Sequence, residues 1–251
     1  MIKRLVIGIL IIVFFMIITA WLAIKLFIPE EDYRSPGRFG SYPNGGMYTF
    51  NPETIFESLE QGDADVFVPY FGDPDAIELY YDPITWSQAH YLKIASALSQ
   101  KIWGESSMSE NWNIESVYFE QNCKKPMGFN SFHIVYYENL GVANWKRSYT
   151  TRLIDIQPWR GLAYWGGDAI FSSTFLSRWE NIDLEDFVIS ADDALQMAEE
   201  RGGNETDKSH CSTISVSMYQ RDNEKWDVTY FAADFGMHID ANNGKYEVLN
   251  K

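Results

Sequence analysis

Four aspartates lie close together in the sequence and are the first candidates for chemistry. Asp63, Asp65, Asp73 and Asp75 precede a long predicted helix. Carboxylates at such spacings could coordinate a hard cation or act as an acid and base pair. Because the chain carries 35 acidic residues, coincidence explains the cluster more simply. We therefore assign these aspartates no catalytic role.

The histidines and one loop are the other candidates for metal binding. The four histidines are scattered, and His210 beside Cys211 supplies only half of a zinc site. The segment from Asp240 to Gly244 resembles a calcium loop, but its glycine comes one place early and Lys251 replaces the expected acid. An Asn-Gly pair between two strands more simply forms a tight hairpin turn. We predict no metal ion and no cofactor.

Sequence motifs of known catalytic sites are absent. The chain contains no GxSxG, no HExxH and no glycine loop that could hold a phosphate. Nothing in the sequence places a nucleophile beside a base and an orienting third group. We therefore predict that the protein is not an enzyme.

The two cysteines, Cys123 and Cys211, are predicted to form a disulfide. An even count suits one bridge, provided that the domain lies in an oxidising compartment. A bridge between residues so far apart would stabilise the fold by roughly 4 kcal/mol in the chain-entropy model. Two free, buried thiols are the alternative.

The N-terminal segment is predicted to anchor the chain in a membrane. Residues 5–24 carry no charge and are nearly all apolar, and a helix of this length is about 30 Å long, the thickness of a hydrocarbon core. Lys3 and Arg4 precede the run, so the positive-inside rule leaves the N-terminus in the cytoplasm and the C-terminal domain outside the cell membrane. A cleaved signal peptide is the alternative, although its apolar core would be only about 7–15 residues long.

The charge of the remaining chain limits its partners. Residues 1–29 hold three of the 20 basic residues and none of the 35 acidic ones, so the rest has a net charge of −18. Such a charge argues against nucleic acid and against docking on anionic lipid, which both require basic surface. An acidic surface that keeps the domain soluble is the simplest explanation; a basic partner is the alternative.

The chain is divided into an anchor (1–28), a linker rich in proline and glycine (29–46), a first α+β unit with a helical extension (47–167) and a second unit (168–251). Asn51 and Pro52 predict the start of a short helix that ends at Gly62. In the first unit, Thr85 and Gln88 form a capping box for a helix that ends at Gly104. Alternating apolar residues then predict strands at 112–121, 129–137, 148–156 and 162–166.

The second unit repeats this order of elements. Ser190 and Asp193 form a capping box, and strands are predicted at 212–220, 225–233, 235–240 and 245–249. Leu92 and Ala95 match Leu195 and Ala198 when the two halves are aligned. In this alignment the two predicted capping boxes are out of register by two residues. A duplication is the interpretation we favour; the alternative is an α+β domain whose halves merely look alike.

Residues 189–249 resemble a PepSY domain. The residues that carry the resemblance are Ile189–Leu195, Ala198, Gly202, Gly203, Trp226, Val228, Tyr230, Ile239–Ala241 and Gly244. Residues 84–166 resemble it less closely. The resemblance implies one helix packed on an antiparallel sheet, and a role in restraining or modulating peptidases in secreted or membrane-anchored bacterial proteins. The family supplies no catalytic residues.

These observations predict an α+β fold: an N-terminal transmembrane helix, then two PepSY-like units, each with one helix packed on an antiparallel sheet. The predicted function is that of a membrane-anchored, extracytoplasmic, non-catalytic binding or regulatory module for a protein or peptide, with an open strand edge as one means of binding. The alternative is an envelope hydrolase that uses paired carboxylates. A purely structural spacer is the third hypothesis.

Overall fold

The computed structural model describes residues 42–77, 81, 85–104, 112–124, 128–143, 146–174, 181–203, 209–220, 224–233 and 235–249. The predicted anchor, 1–28, lies outside these residues. Within them, no helix is long and apolar enough to cross a membrane. The described structure therefore gives no support to the predicted single-pass membrane protein.

Three α-helices and ten strands make up the described chain. The helices are α1 (Ile55–Glu60), α2 (Gln88–Trp103) and α3 (Ala191–Ala198). The strands are β1 (Asn44–Thr49), β2 (Val68–Tyr70), β3 (Asn113–Asn122), β4 (Ser131–Ala143), β5 (Lys146–Gln157), β6 (Leu162–Thr174), β7 (Thr213–Tyr219), β8 (Lys225–Tyr230), β9 (Phe235–Asp240) and β10 (Tyr246–Leu249). Short 3-10 helices lie at Ala64–Val66, Pro74–Ala76 and Pro158–Arg160, and a π-helical turn at Glu199–Gly203 follows α3.

The predicted fold class, two units with a sheet each, is wrong. All ten strands form one antiparallel sheet in the order β10-β9-β8-β7-β3-β4-β5-β6-β1-β2. The two predicted sets of strands are joined because β3 pairs with β7 from Ser116 opposite Tyr219 to Asn122 opposite Thr213. We call the pairing of β3 with β7 the seam between the two sets of strands. It was not predicted, because local alternation of apolar residues indicates where a strand lies but not which distant strand it joins.

Two strands were not predicted at all. β1 begins at Asn44, inside the range assigned to the linker, and pairs with β6, while β2 adds outside β1. Of the glycines that suggested a linker, Gly45 and Gly46 lie in β1 and pack against Trp165. A Cβ on Gly46 would come within 2.8 Å of the Trp165 indole nitrogen.

The main core lies between the helices and one face of the sheet. Trp226, Val228 and Tyr230 of β8 are buried on that face, as their alternation predicted. Other buried members of this core are Ile55, Tyr91, Ile94, Leu98, Val117, Phe119, Ile134, Ile154, Ala194, Leu195, Ala198, Ile214, Val216 and Met218. In β7, which lies in the middle of the sheet, Ser215 and Ser217 are buried as well, so side chains on both faces of this strand are covered.

The helix caps explain the mismatch between the two halves. The N-cap of α2 is Ser87, in a capping box with His90, instead of the predicted Thr85 with Gln88. The box of Ser190 and Asp193 at α3 is as predicted. Ser87 and Ser190 are separated by the same number of residues as Leu92 and Leu195. The observed capping boxes and the matched residues of the two halves therefore agree in register.

Candidate functional site

A cleft of about 900 Å³ opens between the N-terminal half of α2, the segment 181–185 and the start of α3. Its size lies within the range of ligand and peptide sites in proteins, and its walls are mainly apolar. The apolar lining consists of Ala89, Leu92, Trp112, Ile114, Ile134, Tyr136, Ile182 and Leu184, and the polar lining includes Ser87, Gln88, Lys93, Ser96, Asn113, Asn181, Asp183, Glu185, Ser190 and Asp192.

The segment 181–185 forms one wall and is held by specific contacts. The Asn181 Oδ1 accepts a hydrogen bond of 2.9 Å from the Ile114 amide at the start of β3. Ile182 and Leu184 are buried in the main core, whereas Asp183 and Glu185 between and after them are exposed. This alternation places two carboxylates at the rim of an apolar cleft.

The N-termini of α2 and α3 meet at the cleft and bind each other. The amide of Gln88, the first residue of α2, donates to Asp192 Oδ2 at 2.8 Å, and the amide of Ala191, the first residue of α3, donates to Gln88 Oε1 at 2.7 Å. Each helix therefore satisfies one of the other's unpaired terminal amides. Burial raises the pKa of Asp192, although its hydrogen bond from the Gln88 amide acts in the opposite direction.

Trp112 is fixed in the cleft wall by a cation–π contact. The Arg152 guanidinium lies 4.0 Å from the centre of the Trp112 ring and 4.8 Å from that of Trp103, at the end of α2. Such contacts are favourable when the cation is partly shielded from water. They orient the indole in the cleft wall.

The rim of the cleft is acidic. Asp183, Glu185 and Asp192 line it together with a single described cation, Lys93. The Lys93 Nζ lies 3.2 Å from Glu60 Oε1 on α1 and 5.7 Å from the Phe56 ring centre. Lys93 is therefore already paired, and the uncompensated charge of the rim is negative.

Glu115 lies behind the cleft wall, next to Ile114, where a bulge interrupts the pairing of β3 with β4. It is only 5% exposed, and its Oε2 has no hydrogen-bond partner among the described atoms. Burial raises the pKa of Glu115 from the ordinary 4.5 to about 7. The same carboxyl contributes to the raised pKa of the buried Tyr42, whose main cause is burial.

Two of the four aspartates, Asp63 and Asp65, have structural contacts. Asp63 caps the 3-10 helix at Ala64–Val66 by accepting the Asp65 amide at 2.9 Å, and Asp65 lies 3.6 Å from Lys101. Asp63 and Asp65 line a second cavity of about 410 Å³. Asp73 directly precedes the 3-10 helix Pro74–Ala76, and Asp75 lies within it, further along the chain.

The histidines have local structural contacts. His90 Nδ1 accepts the Ser87 amide at 3.1 Å in the α2 cap. His133 and Asp155 face each other across β4 and β5 at 3.5 Å, and His238 contacts Asp227 across β9 and β8. In the described part of the chain, no three His, Cys, Asp or Glu side chains are grouped as metal ligands.

The predicted disulfide between Cys123 and Cys211 is present, with the Cα atoms 5.8 Å apart. It crosses from the end of β3 to the start of β7, which are the two strands of the seam. Because Cys211 is bonded to Cys123, the pair of His210 and Cys211 is not half of a metal site.

The loop from Asp240 to Gly244 is the hairpin turn that the Asn-Gly pair predicted. Gly244 has a φ of 70°, and its amide donates to the Asp240 carbonyl at 2.8 Å. The Asp240 carboxylate accepts the amides of Asn242 and Asn243. This aspartate therefore stabilises the turn itself.

Sequence reasoning did not identify the cleft. Its residues come from five separate segments, and the seam between β3 and β7 brings α2 and α3 side by side. One local signal was available: in 181–185, apolar Ile182 and Leu184 alternate with acidic Asp183 and Glu185.

Comparisons of the chain with protein-family models, with curated proteins and with solved structures found no match in any of the three. The resemblance of residues 189–249 to PepSY domains therefore stays a prediction, and the cleft is interpreted from its own geometry.

Proposed function

We propose that the protein is a non-catalytic binding module that acts outside the cytoplasm and holds a segment of a basic partner protein in the cleft between α2 and α3. The cleft carries this proposal. Its apolar walls suit an aliphatic or aromatic side chain, and its acidic rim suits a neighbouring lysine or arginine. The disulfide supports an oxidising compartment.

The state of the rim carboxylates favours binding over hydrolysis. Asp192 accepts the Gln88 amide, and Asp183 Oδ1 accepts the Glu185 amide at 3.3 Å. Carboxylates that hold their own backbone in place are poor candidates for an acid and base pair, which must exchange protons with a substrate. The envelope hydrolase remains the alternative, and the modulation of a peptidase remains a prediction from the PepSY resemblance.

The test is a selection of random displayed peptides against the full chain, followed by calorimetry on the selected peptides. We expect peptides with lysine or arginine beside a large apolar residue. Ser96→Trp fills the cleft from α2, and we expect it to weaken binding at least about tenfold. Glu185→Lys should weaken binding by several-fold, more strongly at low salt, because it reverses a rim charge.

The matched control is Glu57→Lys, which makes the same charge reversal at an exposed position on α1 outside the cleft. It should leave the affinity unchanged. If the selected peptides bind Ser96→Trp as tightly as the original chain, the cleft is not the binding site. Cleavage of the bound peptides, lost in Glu185→Gln, would instead support the hydrolase.

A further inference from the structure

The two edges of the sheet differ in their capacity to accept another strand. β2, at one edge, has only three residues, and one of them is Pro69, which has no amide hydrogen to donate. β10, at the other edge, has four residues and no proline, and no described strand lies beyond it. β10 is therefore the edge that can be extended.

The backbone groups of Tyr246 and Val248 point outward from the sheet. The Asp240 amide donates to the Lys245 carbonyl at 2.8 Å, so the inward-facing backbone group of Lys245 is this carbonyl, which points toward β9. Successive residues of a strand direct these groups to alternate sides, so those of Glu247 and Leu249 also point to β9. The amides and carbonyls of Tyr246 and Val248 then face the open edge.

The side chains of β10 are exposed along this edge. Tyr246 is 44% exposed and Val248 is 37% exposed, and both lie opposite buried residues of β9, Ile239 and Met237. Glu247 is exposed on the other face, opposite His238. The edge thus presents an apolar, an acidic and an apolar position in succession.

This pattern disfavours a second copy of the chain as the added strand. An antiparallel copy that used the outward groups of both Tyr246 and Val248 would place Glu247 directly opposite its own counterpart. Side chains in such a pair are about 5 Å apart, and like charges there are destabilising. A strand with lysine or arginine between two apolar residues would instead pair favourably at all three positions.

We propose that β10 is a second binding surface, distinct from the cleft, which accepts an extended segment of another protein with an apolar-basic-apolar pattern as an eleventh, antiparallel strand. Main-chain hydrogen bonds to Tyr246 and Val248 supply the affinity, and Glu247 selects the basic residue. This is strand addition, in which alternate side chains of the added segment give specificity. The net charge of the chain, −15, favours encounters with a basic segment.

The probe is a fluorescent peptide of about nine residues that alternates valine and lysine, added to the full chain. Amide exchange followed by NMR should show slower exchange, by about tenfold or more, at Tyr246 and Val248 on peptide binding. The amides of Glu247 and Leu249, already bonded within the sheet, should change little. A peptide of the same sequence with N-methyl groups on alternate residues, which blocks the pairing edge, should not slow exchange at these two amides.

Variants test the same surface. Val248→Pro removes an outward amide and should abolish the peptide-induced protection of the Tyr246 amide, while Val248→Thr, which keeps that amide, should retain it. Glu247→Lys should weaken this protection by several-fold, whereas the cleft variant Ser96→Trp should leave it unchanged. Protection of Tyr246 in a folded Val248→Pro, or equal protection of all four amides in the original chain, would overturn the proposal. So would protection that appears without peptide and grows with protein concentration, since that would identify a second copy as the occupant.

Discussion

Glu115 is a buried acid, and its Oε2 has no hydrogen-bond partner among the described atoms. Its burial makes its contribution to the free energy of unfolding depend on pH. Burial favours the protonated carboxyl and raises the pKa from 4.5 to about 7. The contribution of Glu115 to the free energy of unfolding is therefore greatest below pH 4.5 and falls as the pH rises through 7, because the folded state must then hold a buried charge.

We expect Glu115→Gln to increase the free energy of unfolding at pH 8 by about 3 kcal/mol and to have little effect below pH 4. Glutamine has nearly the shape of the protonated acid but never ionises. Urea unfolding at both pH values measures the difference. The control, Glu57→Gln, removes an exposed acid and should change stability little at either pH. An equal effect of Glu115→Gln at both pH values would contradict the raised pKa.

The contribution of the disulfide to stability can also be measured separately. Replacement of Cys123 and Cys211 together by alanine should lower the free energy of unfolding by about 2–4 kcal/mol, mainly because the unfolded chain gains freedom. Chemical denaturation with and without a reductant measures this. The reductant should destabilise the original chain and leave the double variant unaffected; similar stability of both proteins would show that the bridge contributes little.

Among the secondary-structure elements, α2 and α3 are coupled through their N-termini. Gln88 and Asp192 each accept an amide of the other helix, and both are at least partly buried. A buried amide that loses its acceptor carries a desolvation penalty. The two helices should therefore be stabilised together, and with them the shape of the cleft.

We expect Gln88→Ala and Asp192→Ala to cost about 1–2 kcal/mol each, and the double variant to cost less than their sum by more than about 0.5 kcal/mol. Denaturant unfolding of the four proteins completes the cycle. Gln100→Ala and Gln196→Ala form the control cycle, since these exposed residues lie on the same helices with local contacts only. Strict additivity at Gln88 and Asp192 would show that the helix ends are held independently.

For the whole molecule, the seam between β3 and β7 should make the two halves of the sheet unfold together. The chain without its first 188 residues would lose the pairing of β7 with β3, the disulfide to Cys123 and the contact with Gln88. We therefore expect the fragment 189–249 not to fold alone. Circular dichroism should show no cooperative thermal transition for it, whereas the full chain should give coincident far- and near-ultraviolet transitions. A cooperative transition in the fragment would mean that the halves are separate folding units.

Local sequence was sufficient to predict most individual elements of this protein. The capping box at Ser190, the apolar alternation of Trp226, Val228 and Tyr230, and the turn before Gly244 all depend on neighbouring residues, and all are present in the structure. The α2 cap was misplaced by two residues because both Thr85 and Ser87 suit such a position chemically, and only packing selects Ser87.

Only the tertiary structure decided the single sheet and the cleft. Strand pairing depends on which edges meet in space, and the sequences of β3 and β7 contain no local mark of their partnership. Glu115 was likewise not predicted as special among the many acids, because its burial, beside a bulge in the pairing of β3 with β4, arises only when the sheet forms. Local propensity acts over a few residues, whereas burial and site geometry are set by contacts between segments far apart in the chain.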